Sequence, residues 1–368
     1  MQTDRFDDGM DRGGLVVVAG GGGFIGGHLV ADLKRRGFER VRAVDVKPVD
    51  GWHQRVAGVD CVVADLREPK ACGLAVRGAS VVYNLAADMG GMGFIETHKA
   101  DCMVSVLINT HLLQACRELP GLQRYFYASS ACVYRADLQA TAGFDGLREG
   151  DAYPAMPEDG YGWEKLFSER MCRHFREDYG VPTRVARFHN VYGPYGTWRG
   201  GREKAPAAIC RKVAGAVASG EHAIEVWGDG KQTRSFMYIE DCLEGMARLM
   251  GSDVVEPINL GSDEGVSING LVSLVESIAG VELERRYKLD APKGVNGRNS
   301  DNTRIRKLLG WAPGVRLRDG LEQTYSWVAG EYAKHTATRK RKTAQLAAMR
   351  QRVAGGVGGG VGETGVAA

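Results

Sequence analysis

Two side chains able to do acid–base chemistry stand four residues apart in Tyr161-Gly162-Trp163-Glu164-Lys165. On a helix that spacing puts them on one face, one turn from each other. A phenol titrates near about 10 and is a poor base at neutral pH. An ammonium beside it favours the phenolate and lowers that value. A tyrosine tuned in this way can take the proton from a substrate hydroxyl while a hydride leaves the same carbon. The same spacing also fits a half-buried ring and a solvated charge on an amphipathic helix. It points to redox chemistry only where a dinucleotide site faces it. Ser130, at the end of the apolar run from Arg124, can hydrogen-bond the same substrate oxygen or can cap a helix. Cys132, two residues on, reaches the same pocket. A lone cysteine is more often a small core residue, and a thiol needs electropositive help to be a base at neutral pH.

The chain before these residues must hold the dinucleotide. Leu15-Val16-Val17-Val18-Ala19 has the look of a buried strand stopped by glycine. Gly20, Gly23 and Gly26 follow in a GxxGxxG spacing, with Phe24 and Ile25 opening a helix pattern that runs through Leu29 and Leu33 to Gly37. Strand, glycine turn and helix in that order let backbone approach a pyrophosphate at a helix N-terminus. Val41–Asp45 reads as a second strand whose terminal acid, 19 residues beyond Gly26, suits a ribose diol and repels a 2′-phosphate. NAD is favoured over NADP, with Lys47 weakening the preference. Val59–Leu66 reads as a third strand, its Asp65 placed to meet adenine or to cap a helix. Val81–Ala87 reads as a fourth, ending in small residues. Strands alternating with helices predict an α/β, Rossmann-type doubly wound parallel sheet with ligands at its carboxyl edge. The expected cofactor set is Gly20, Gly23, Phe24, Ile25, Gly26, Asp45, Asp65, Leu66, Ala86 and Phe188, with Tyr161 and Lys165.

The chain has 368 residues, 44% hydrophobic and 25% charged, with net charge +3. This is an ordinary globular composition, long enough for two lobes, and it calls for neither a nucleic-acid partner nor a membrane. The first 14 residues lack an apolar signal core, so a cytoplasmic setting is expected. Eight cysteines without CxxC spacing read as reduced thiols, and no metal site is expected.

Later segments suggest a sugar-nucleotide site. Asp88-Met89-Gly90-Gly91-Met92-Gly93-Phe94 makes a soft, close-approach loop after the fourth strand. One long helix is expected over Thr97–Arg117. Gly200–Ala208 is a charged glycine turn entering a helix, where Lys204 is either a surface charge or a site residue. Trp227–Phe236 looks like a hairpin turn. Arg234 and Arg298 are candidates to clamp a diphosphate bidentately, or are surface arginines. The expected division is 1–13 disordered, 14–190 dinucleotide-binding with returns near 235–262, 191–332 mainly a substrate lobe, and 333–368 a disordered basic and Gly-rich tail.

Together these residues resemble an extended short-chain dehydrogenase/reductase. Leu85–Phe94, Ser129–Tyr134, Arg187–Asn190, Gly200–Ala208 and Gly297–Asn302 are similar to the GDP-mannose 3,5-epimerase family over roughly residues 15–330. The resemblance implies that Cys132 and Lys204 are the acid/base pair at C3 and C5 of the hexose. It implies that Ser130, Tyr161 and Lys165 serve a redox step at C4, with NAD as cofactor. It also implies substrate contacts by Gly90, Ser129, Ser130, Asn190, Glu203, Lys204, Ala205, Lys212, Gln232, Thr233, Arg234 and Arg298. The substrate would be a GDP-hexose and the assembly a homodimer. The chain departs from the family at Gly27, Arg135 and around Val213–Ala223. A 4-epimerase, a 4,6-dehydratase or a non-catalytic NAD-sensing protein on the same fold are the competing readings. The acid pair usual in a dehydratase is replaced here by Ala131-Cys132.

Overall fold

The computed structural model describes residues 9–143 and 146–356. Its centre is β1 (Leu15–Ala19), buried at every position. Side chains alternate across a strand: Val16 and Val18 enter one core, and Leu15, Val17 and Ala19 enter the core on the opposite face. A strand covered on both faces shows no polar alternation, which is why this run is apolar throughout. Helix α1 (Phe24–Arg35) buries Leu29, Val30 and Leu33, and a left-handed Gly37 at φ +86° turns the chain back. Then come β2 (Arg40–Asp45), β3 (Asp60–Val63), α2 (Pro69–Val76) and β4 (Ala79–Asn84).

The single helix expected over Thr97–Arg117 is instead two, α4 (Lys99–Val104) and α5 (Val106–Cys116), with α3 (Met92–Thr97) just before them. The first break falls at His98, at φ −128°, where the ring stacks on Phe94 at 4.2 Å. The second falls at Ser105, whose hydroxyl accepts the Asp88 N–H at 2.9 Å. The helix is broken where it must hold the loop after β4.

β5 (Arg124–Ser130) runs into a one-turn 3₁₀ segment, Ala131–Val133, and α6 (Asp159–Tyr179) and β6 (Thr183–Phe188) follow. The remaining elements are β7 (Val191–Tyr192), α7 (Ala205–Ser219), β8 (Ala223–Trp227), β9 (Thr233–Ser235), β10 (Met237–Tyr238), α8 (Ile239–Met250), β11 (Ile258–Leu260), β12 (Gly265–Ser267), α9 (Ile268–Ala279), β13 (Glu284–Lys288), β14 (Gly297–Arg298), α10 (Thr303–Leu309) and α11 (Leu317–Gly356). The main sheet has the order β11-β6-β5-β4-β1-β2-β3, parallel throughout. Its order reverses between β1 and β4, where ligands bind in such sheets. The segment Trp227–Phe236 is not a hairpin. β8 pairs with β13, whereas β9 pairs with β12 and β14.

Two terminal expectations need correction. Residues 1–8 lie outside the described residues, but residues 9–13 are placed. Met10 packs on the core, Arg12 sits 4.3 Å above the Phe38 ring, and the Glu39 N–H donates to the Arg12 carbonyl. The tail expected to be disordered from residue 333 continues α11 to Gly356, and residues 357–368 lie outside the described residues. The stretch is rich in Ala, Lys, Arg, Gln and Leu, all strong helix formers. It extends a helix already anchored by buried Leu317, Leu321 and Val328, each stabilising by about 1.5–3 kcal/mol. Among the described residues, no helix is long and apolar enough to cross a membrane, and no group of three or more His, Cys, Asp or Glu could hold a metal.

Candidate active site

The carboxyl end of β5 carries the first pieces. Ser129 and Ser130 point to opposite faces of the strand. The Ser129 hydroxyl donates to Glu169 Oε1 at 2.5 Å, inside a buried Glu169–Arg187 ion pair at 2.7 Å. That places Ser129 behind the sheet. Ser130 faces forward, and its hydroxyl accepts the Cys132 N–H at 3.2 Å, which turns the thiol into the same space. Helix α6 lies directly on this turn. A Cβ on Gly162 would stand 2.3 Å from the Cys132 carbonyl oxygen, so only glycine lets Tyr161 come so near. Cys132 and Tyr161 pack in one buried cluster with Phe94, Ile95 and Cys102, and Met89 covers it. The segment after β4, through Met89 and Phe94, thus packs against Cys132 and Tyr161.

Lys165 does not act on Tyr161 as the spacing predicts. Burial pushes the Tyr161 phenol well above its ordinary value, and Cys132 and Glu164 push the same way, against a Ser130 hydrogen bond that pulls it down. The Lys165 ammonium lies 5.5 Å from the Tyr161 ring centroid. It donates instead to the Tyr127 hydroxyl at 3.1 Å and pairs with Glu164 Oε2 at 3.4 Å. A buried carboxylate one residue away outcompetes a phenol one helical turn away.

Lys204 is the N-cap residue of α7, with Ala205 opening the helix, and lies near enough to Cys132 and Arg298 to interact with both. Burial lowers its ammonium below the ordinary lysine value; Arg298 pushes the same way and the Cys132 thiol opposes. The turn before it is clipped to the loop after β4, where the Gly91 N–H donates to the Arg202 carbonyl at 3.0 Å beside Gly90. Glu203 turns its carboxylate to the Gly201 N–H at 2.7 Å and to Arg211 at 3.0 Å. Lys212 is further along α7 and donates to the Glu225 carbonyl at 2.8 Å.

The floor comes from β9 and β14, which set Arg234 beside Arg298. Arg234 donates to the carbonyls of Thr233, Lys293 and Val295. Burial pulls its guanidinium down to about 10, with Arg298 adding to the effect. Gln232 donates to the Trp227 carbonyl at 3.1 Å, while its buried Oε1 has no partner. Asn190, left-handed at φ +44°, donates to the Ser235 carbonyl at 3.0 Å. Arg298 is not free for a diphosphate in this arrangement. Its Nη1 contacts Cys132 Sγ at 3.4 Å, its Nε donates to Gln139 Oε1 at 2.6 Å, and its Nη2 pairs with Glu158 Oε2 at 2.5 Å. Glu158 and Gln139 escaped the sequence reading. Glu158 had a local signal, an acid at a helix start three residues before Tyr161. Gln139 had none, because its partner lies 159 positions away.

The chain that carries these residues has known relatives. Residues 16–261 match the NAD dependent epimerase/dehydratase family. The chain belongs to that family. GDP-mannose 3,5-epimerase 1 of Oryza sativa subsp. japonica is 45% identical over 320 residues, 87% of this chain and 82% of that one. GDP-mannose 3,5-epimerase of Arabidopsis thaliana is 44% identical over 323 residues, 88% and 84% of the two chains. Among solved structures, UDP-glucuronic acid 4-epimerase from Bacillus cereus in complex with NAD aligns with TM-score 0.70 and 25% identity, covering 85% of this chain and 96% of that one.

The glycine turn of this family member fits NAD, its cofactor. Gly20 is left-handed at φ +82°, and a Cβ there would meet the Ala86 nitrogen at 3.0 Å; one on Gly26 would lie 2.0 Å from the Gly20 carbonyl oxygen. Backbone is thus packed on backbone from Gly20 through Gly23 to the start of α1 at Phe24 and Ile25, leaving a groove for a pyrophosphate. Asp45 is buried and accepts the Gly22 and Lys47 N–H groups at 3.1 and 3.0 Å. Lys47 spends its ammonium on the Gly22 carbonyl at 2.7 Å, so the negative charge of Asp45 is left to exclude a 2′-phosphate. Asp65 is forked by Arg67, whose hydrogen bonds hold its carboxyl below the usual range. Leu66 is buried behind it, and Phe188 ends β6.

Proposed function

We propose that this protein is a NAD-dependent 3,5-epimerase that converts GDP-α-D-mannose to GDP-L-galactose, GDP-L-gulose or both through a 4-keto intermediate. The observation that carries the reading is the meeting of two acid–base pairs in one pocket. Ser130, Cys132 and Tyr161 meet where β5 ends, and a partly buried Lys204 is near enough to the Cys132 thiol and Arg298 to interact with both. Bound NAD⁺ supplies reversible hydride acceptance at C4. Tyr161 takes the O4 proton, with Ser130 holding the oxygen. The resulting 4-ketone acidifies the hydrogens on C3 and C5, because each carbanion delocalises as an enolate. Cys132 removes such a hydrogen from one face. Lys204, made a readier proton donor by its burial, returns one from the other, inverting the carbon. The names of the relatives support GDP-mannose as the substrate.

The division of labour we propose follows the chain. Residues 14–190, with returns near 235–262, hold the dinucleotide, and residues 191–332 mainly hold the sugar nucleotide. Eight free cysteines suit a reducing cytoplasm, and a homodimer follows from the resemblance. The test is purified protein with GDP-mannose in deuterated water, followed by proton NMR. Deuterium at C5 in an L-configured product is expected, and Cys132→Ser should slow that exchange by more than a hundredfold. Inversion at C4 alone would instead make it a 4-epimerase, and loss of water would make it a dehydratase. No turnover with any GDP- or dTDP-hexose despite retained NAD would make it a sensor. Wild-type exchange in Cys132→Ser would remove the thiol from the mechanism.

A further inference from the structure

The sequence offers Arg298 as a phosphate clamp, but the structure wires it to the cysteine. Three polar contacts fix the guanidinium: Nη1 to Cys132 Sγ at 3.4 Å, Nε to Gln139 Oε1 at 2.6 Å, and Nη2 to Glu158 Oε2 at 2.5 Å. The Glu158 N–H in turn donates to the Cys132 carbonyl at 3.3 Å. The ring of contacts thus closes on the residue whose sulfur the arginine touches. Arg298 is buried, so its planar fork has little freedom to swing toward a ligand. We propose that Glu158 and Gln139 are positioning residues that lock the Arg298 guanidinium on the Cys132 sulfur, and that this arginine is the electropositive partner that makes the thiol a base. The proposal rests on the reading of Cys132 as the base at C3 or C5 and says what arms it.

The other charged or titratable groups around the sulfur do not replace Arg298. Tyr161 and Cys102 are neutral acids. Lys204 is the proton donor of the proposed reaction. Arg234 commits both terminal guanidinium nitrogens to backbone carbonyls, Nη1 to Thr233 and Nη2 to Lys293 and Val295. Glu158 is an anion that acts through the arginine. A cation in direct contact stabilises a thiolate by about one to three pH units against the free group.

The thiol can be read without substrate. Burial pushes the other seven cysteines up, Cys102 to about 11 and Cys72 and Cys210 to about 12. The ultraviolet thiolate band of the NAD-loaded protein, with Cys132→Ser subtracted, therefore reports Cys132 alone below about pH 9.5. Arg298→Met should raise that titration by about one pH unit or more, and Arg298→Lys should recover part of the shift. Glu158→Asp keeps the charge but shortens its reach, and should raise the titration in the same direction by less. If Arg298→Met fails to fold, Arg298→Lys and Glu158→Asp decide the matter by themselves. An unmoved thiol in the folded variants, together with weakened GDP binding, would return Arg298 to a phosphate role and overturn the proposal. Because no turnover enters the measurement, an inactive wild type would sink the proposed reaction while leaving this result standing.

Discussion

Lys204 sits where burial changes its chemistry. An exposed lysine stays protonated to about pH 10.4. Here burial lowers that point, with Arg298 adding to the effect. A proton donor with a lowered value is lost as pH rises through that value, so the alkaline limb of kcat should fall before an ordinary lysine would titrate. The pH profile of epimerisation in deuterated water checks this. Lys204→Met should remove the limb and slow product formation by roughly a hundredfold or more, while hydride exchange at C4 survives. Tyr161, Lys165 and Ser130 were legible because their signals are local: a helical spacing and a small turn after a strand. The behaviour of Lys165 was not, because the buried carboxylate of Glu164 and the hydroxyl of Tyr127 claim its ammonium. Arg298 was found as a residue, but its contact with the cysteine was not. Its contact with Cys132 spans 166 positions and depends on how β14 registers on β9.

Helix α6 shows how tightly one element holds the chemistry. Its second turn rests against the Cys132 carbonyl through Gly162, where a methyl group would stand 2.3 Å from that oxygen. Alanine is the better helix former by about 1 kcal/mol, yet the backbone it would meet cannot yield cheaply. Gly162→Ala should therefore cost about 1–3 kcal/mol of stability and reduce epimerisation more than tenfold by moving Tyr161 from Ser130. Thermal unfolding and product NMR read the two effects separately. The strands β1 and β4 were the most legible, because a strand covered on both faces reads as an apolar run. The break at Ser105 in the helix after β4 was not legible. The Ser105 hydroxyl accepts the Asp88 N–H there, a contact no periodicity records.

At the scale of the whole chain, one large apolar core joins the sheet to α7, α8, α9 and the start of α11. The helix then runs on past that core: from Arg339 to Thr343 every side chain is exposed. Removal of residues 339–368 should shift the unfolding midpoint by less than about 2 °C and leave turnover intact; a larger loss would mean that this end packs on something. The sequence misjudged this stretch because a run of basic residues suggests repulsion, whereas an anchored helix needs only good formers to continue. The clip between Gly91 and Arg202 has a different bearing. Sulfur and phenol both belong to the frame of β5 and α6 and cannot drift apart, but the ammonium rides on another wall, joined to the pocket rim through that clip. In the proposed reaction, ketone formation and hydrogen removal would both belong to one solid block, and the wall that carries the amine would decide whether a loosened carbon keeps its old handedness or takes the new one.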